Sequence, residues 1–240
     1  MKNVIRAAIV ATMIGGAAAG LTGVAAAAPL NDPKGLCASQ DDAGNCTFGW
    51  AGPSHSVDGV FPADYPQEQA VVDYLTQQVD QFEADSGPLG SLDDPLPLED
   101  FKATGTRYTS GDAATGTQSV VVEMDQMLRG AAHPAAWYKS FNYDMATKAP
   151  IGFDGLFRPG TKPLEVVMPI AAKQLSADVG QPVTIDPAAG LDPANYQSFA
   201  ITNDAVIFFF DRDELVPAYG TTAQVSVPRS AIADMLNPGI

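Results

Sequence analysis

Histidine is scarce in this chain. Only His55 and His133 occur, so any hydrolytic relay that needs an imidazole base must use one of them. His133 stands in the small-residue loop Gly130-Ala131-Ala132-His133-Pro134, and Ser140 follows in the same segment. A histidine base with a serine nucleophile would do acyl-transfer chemistry, here the hydrolysis of a carboxylic ester. Seven residues of separation do not by themselves bring the two into contact, and a loop histidine bonded to backbone fits the same sequence. No Gly-x-Ser-x-Gly elbow occurs anywhere, which leaves the α/β-hydrolase route without support. His55, between Ser54 and Ser56 in a proline-containing turn, reads as surface.

Other chemistry is thinly represented. Asp211, Asp213 and Glu214 gather beside Arg212 but lack the twelve-residue ligand pattern and central glycine of an EF-hand. They read as a solvated turn at the end of a strand. Asp93-Asp94 lies in a loop where both carboxylates can ionise, a weak basis for glycoside hydrolysis. Phosphate-cradling loops and dinucleotide fingerprints are missing, so no cofactor is indicated. Cys37 and Cys46 are the only cysteines, and without nearby histidines they suggest a disulfide rather than a metal site.

The elements that must position these residues can be traced along the chain. Asp64 is placed to cap a helix with Pro66 in its first turn, and Val71, Tyr74, Leu75, Val79 and Phe82 recur at helical spacing behind it. The stretch 86–97, rich in Gly and Pro, reads as an ordered surface loop. Residues 101–109 and 117–127 read as a strand pair. From Trp137 to Asp144 the chain alternates, with Trp137, Lys139, Phe141 and Tyr143 on one face and Tyr138, Ser140 and Asn142 on the other. A second helix is expected from Pro163 to Val179, burying Leu164, Val167, Ala171 and Leu175, with Pro169 kinking it or marking its true start. Asn203-Asp204 joins two strands as a hairpin, and Phe208-Phe209-Phe210 must serve both faces of its sheet. A strand at 224–227 and a short helix at 229–236 complete the series. Strand groups separated by two helices, without regular βα alternation, make this an α+β single domain.

The start of the chain bears on where such a domain works. Lys2 and Arg6 precede an uncharged run from Ala7 to Ala28, rich in Ala and Gly and ending in small residues. That pattern is expected to be a signal peptide cleaved after Ala27, because Pro29 hinders cleavage directly before it, and its Ala and Gly content argues against the alternative of an uncleaved membrane anchor. Residues 1–27 are therefore the expected leader, 28–62 an N-terminal segment with the disulfide loop, and 63–240 the α+β domain. With a net charge of −15, the protein repels nucleic acid and anionic lipid headgroups. A protein or an envelope ligand is the expected partner, with no stable membrane anchor after cleavage.

Several segments carry a family resemblance in the right order along nearly the whole mature chain. They include Phe61-Pro62-Ala63-Asp64-Tyr65-Pro66, the run from Ala132 to Tyr143, Gly190-Leu191-Asp192-Pro193-Ala194-Asn195-Tyr196-Gln197, the run from Thr202 to Phe210, and Val227-Pro228-Arg229-Ser230-Ala231-Ile232. With the exported start and the two cysteines, they resemble the mycobacterial secreted immunogenic protein family. The C-terminal half is also similar to the ectodomain of a membrane-anchored anti-sigma factor that senses lysozyme. From that branch the chain departs in its cleavable leader and its cysteine loop. The resemblance implies a β-grasp-like fold, a mixed sheet packed around one long helix with a second helix and a C-terminal β-hairpin, and a secreted antigen. One branch of the family is described as a cell-wall-associated esterase acting on short acyl esters.

Overall fold

The computed structural model describes residues 30–52, 54–86, 99–216 and 220–240. The expected leader lies outside them, as does the expected surface loop apart from Ser86. Seven strands form one sheet in chain order: β1 (Ser39–Gln40), β2 (Asn45–Ala51), β3 (His55–Pro62), β4 (Glu99–Ser110), β5 (Thr117–Met127), β6 (Ala135–Asp144) and β7 (Ala149–Pro150). Neighbours run antiparallel except β3 and β4, which are parallel. A parallel pair needs a long crossover, and α1 (Glu68–Asp85) supplies it.

Period-two alternation then decides what each face of that sheet meets. Phe101, Ala103, Val120, Val122 and Met124 point toward α1 and enclose its Val71, Val72, Leu75, Val79 and Phe82. Val121 points the other way and meets Ala200 and Phe209 of a second sheet. That sheet is antiparallel, built from β8 (Phe199–Ile201), β9 (Ala205–Phe210) and β10 (Ala223–Pro228). Its outer face carries Phe199, Ile201, Val206, Phe208 and Phe210, which pack with Leu164, Val167, Ala171 and Leu175 beyond them. Those four belong to a helix that follows the short α2 (Phe153–Leu156), namely α3 (Leu164–Val179). The layers therefore run helix, sheet, sheet, helix. The three phenylalanines divide as expected, with Phe209 between the sheets and its two neighbours under α3. The short α4 (Pro187–Gly190), a 3-10 turn (Pro193–Tyr196) and α5 (Arg229–Ile232) complete the chain.

Hairpin and helix expectations mostly hold, with three differences. Asn203-Asp204 does join β8 to β9, and Asn203 Oδ1 accepts from the Gly111 N–H at 2.8 Å, tying this turn to the β4–β5 turn of the large sheet. Asp64 is not the helix cap, however. Its backbone is left-handed (φ 55°), its N–H donates to Glu68 Oε2, and α1 begins four residues later with no side-chain cap at Gln67. The cause is tertiary: the Arg107 guanidinium donates to the Ala63 and Asp64 carbonyls and draws the chain toward β4. Pro169 lies inside α3, within the two placements expected for it, whereas the C-terminal helix is shorter than expected, ending at Ile232. Finally, the N-terminal segment is an integral part of the large sheet, supplying β1 to β3. Its strands were not expected because Gly49 and Gly59 interrupt the apolar alternation. Gly59 is there for packing, since a Cβ would lie 2.1 Å from the Phe48 ring.

Candidate functional site

The two residues of the expected acyl-transfer pair, His133 and Ser140, each have other hydrogen-bond partners. His133 is exposed in the loop before β6, with Nδ1 3.1 Å from the Pro134 carbonyl oxygen. Ser140 lies five residues into β6, which at the rise of an extended chain is about 16 Å from the strand's start. Its hydroxyl accepts from the Phe199 N–H at 3.1 Å and from Asn142 Nδ2 at 3.3 Å, and donates to the Gln197 carbonyl at 3.3 Å. Ser119, wholly buried on the neighbouring strand, accepts from the Ile201 N–H at 3.2 Å. Both hydroxyls thus hold β8 against the large sheet. Neither shares a hydrogen bond with His133.

His55 is placed differently from its sequence reading. It is half-buried at the end of the parallel β3–β4 pair, its ring edge-on to Phe82 with centroids 5.7 Å apart and its Nδ1 3.4 Å from Ser54 Oγ. Glu99, opposite it in register, is 2% exposed. One Glu99 oxygen accepts from the Arg129 N–H at 3.0 Å and the other has no partner among the described residues. No hydrogen bond joins His55 to Glu99 among the described residues, so nothing orients the imidazole as a triad acid would.

The acidic cluster after β9 is a docking joint rather than a solvated turn. Asp211 Oδ1 accepts from the Tyr138 N–H at 2.7 Å, Arg212 N–H donates to the Ala136 carbonyl at 3.0 Å, and Glu214 Oε2 accepts from the Asp211 N–H. Burial raises both carboxyls above their ordinary range. Nearby, Tyr138 donates to Glu123 and meets Thr222, and burial pushes its phenol up to about 12. Among the described residues, the group whose ligand atoms come close enough to hold a cation is Cys37, Cys46 and Glu68. There the sulfurs are bonded to each other, as expected, with Cα atoms 4.6 Å apart.

Concavity is found elsewhere, where α2 leads into α3. A pocket of about 350 Å³ opens there over Phe153, Phe157 and Leu164, with Leu191 on one side and Arg158 and Lys162 at its rim. None of its lining residues is a serine, cysteine or histidine. The sequence reading missed it because Phe153 and Phe157 fall outside the longer periodic segments, so only their packing reveals a common wall.

Comparison with known proteins places these features. Residues 154–230, from α2 through β10, match a family described as a protein of unknown function, DUF3298. A crystal structure of a DUF3298 family protein from Pseudomonas aeruginosa has the same fold, with a TM-score of 0.53 at 14% identity over 81% of this chain and 94% of that one. A Mycobacterium tuberculosis protein named esterase Rv3036c is 46% identical over 189 residues, covering 78% of this chain and 81% of its own. Immunogenic protein MPT64 of Mycobacterium tuberculosis and immunogenic protein MPB64 of Mycobacterium bovis are each 40% identical over 215 residues, covering 90% of this chain and 92% of theirs. At that identity, along nearly the whole length, the chain belongs to the family of the mycobacterial immunogenic proteins MPB64 and MPT64.

Proposed function

We propose that this chain is an exported antigen of the cell envelope or the surrounding medium that acts by binding a protein or envelope ligand. The observation that carries the reading is the pocket between α2 and α3, whose apolar floor and mixed-charge rim can hold a small envelope ligand and whose lining offers no serine, cysteine or histidine to cleave one. Family membership supports the antigen and, with the leader-like start, export. Two measurements test it. N-terminal sequencing of protein recovered from culture medium should read from Ala28, and immobilised mature protein should retain a specific partner from envelope or host fractions. Recovery only in the cell interior, or no partner from any fraction, would overturn it.

A second reading, carboxylic-ester hydrolysis, is favoured by the relative named an esterase. Under it His133 is the base, and Ser140 would have to leave its three present partners to act as nucleophile. Hydrolysis of a short-chain chromogenic ester, lost in His133→Ala with the fold intact, would move the assignment to this reading. Turnover that is absent, or indifferent to His133→Ala and Ser140→Ala, leaves binding in front.

A further inference from the structure

The same pocket carries a more specific inference, which rests on the binding reading above. We propose that it takes a small monoanionic amphiphile, with an apolar chain on the floor and a carboxylate at Arg158. Leu191 is 42% exposed, and with Val179 it is one of two large hydrophobic side chains left exposed among the described residues. It lines the pocket with Phe153, Phe157 and Leu164, buried members of the core cluster beneath α3 at 6–7% exposure, so that cluster lies directly under the floor here. A volume of about 350 Å³ suits a small molecule and is too small for the surface a folded partner must cover.

Charge selects the head group. Two cations, Arg158 and Lys162, and two carboxylates, Asp154 and Glu165, line this mouth. Lys162 is already engaged by Glu165 at 2.8 Å. Arg158 donates from Nε to the Leu236 carbonyl at 2.8 Å, which fixes the guanidinium in place and leaves its terminal nitrogens without a protein partner among the described residues. A planar guanidinium held in this way matches a carboxylate through two parallel hydrogen bonds. Asp154, also on the rim, disfavours a more highly charged head such as a phosphate dianion. The ligand class that fits is therefore a monocarboxylate with a linear apolar tail.

Octanoate and 1-octanol, titrated separately into the mature protein with amide resonances followed by NMR, test the assignment. Octanoate should perturb residues 153–165 and Leu191 saturably and bind about tenfold more tightly than octanol. Arg158→Gln should bring octanoate down to the octanol affinity without changing octanol. Leu191→Asp, at an exposed position that the core does not need, should weaken both about tenfold or more. Equal affinity for the two probes, perturbations centred elsewhere, no saturable binding, or binding unaffected by Leu191→Asp would each overturn the proposal. Failure here with a protein partner captured in the retention experiment removes the pocket assignment alone. Ester turnover that depends on His133 removes the binding reading while the titration still decides the pocket.

Discussion

Ser140 illustrates how little a residue type says until its partners are known. Alternation along β6 put it on the face opposite Phe141, and that orientation is correct, but spacing could not reveal that the face is roofed by β8. Once roofed, the hydroxyl serves a backbone N–H that would otherwise lack an acceptor. Ser140→Ala should therefore cost about 1–2 kcal/mol of stability, read as a lower urea midpoint at unchanged slope, with no effect on any ester turnover. Unchanged stability together with lost turnover would refute the bracing role. His133 was legible only as a loop residue, since Gly130 and Pro134 on either side announce a loop without saying what it faces. Cys37 and Cys46 were the most legible pair, because two cysteines close in sequence within a chain expected to be exported leave little alternative to bonding each other.

Among the elements, long periodic segments were readable and their ends were not. The four residues expected to line α3 are all buried, because a repeating apolar stripe leaves a helix one way to lie on a sheet. The start of α1 escaped because Arg107, 43 residues away in sequence, sets the backbone at Asp64. The end of β9 escaped for a related reason: Asp211 and Glu214 look solvent-seeking in sequence, yet the docking of β9 on β6 half-buries them. Their raised pKa values mean that the folded chain keeps these protons to higher pH than the unfolded chain does. Stability from this pair is fullest below the unfolded carboxylate range, about pH 4, and is lost as pH rises through the raised folded values. Asp211→Asn keeps an acceptor for the Tyr138 N–H while removing the buried charge. Thermal melts should show it gaining more over the parent at pH 7 than at pH 4, and an equal gain at both would refute the burial argument.

At the scale of the whole molecule, the seam between the two sheets is what joins the two layers. Phe209 fills it against Tyr138, with ring centroids 5.1 Å apart, and against Tyr108 at 5.9 Å. Phe209→Ala should destabilise by about 3–5 kcal/mol, and chemical denaturation should show the transition moving as a unit. Loss of structure around α3 while α1 and its sheet stay folded would mean that the seam does not couple the two layers. The sequence by itself determined the α+β class, the two principal helices, the C-terminal hairpin and the disulfide, because each follows from local periodicity, turn chemistry or the scarcity of a residue type. Tertiary structure alone decided that the N-terminal segment completes the large sheet, that Ser140 bonds to the segment around β8, and that Phe153, Phe157, Leu164 and Leu191 line one pocket. Those outcomes depend on contacts between segments far apart in the chain, and a local pattern carries no information about which distant surface will cover it.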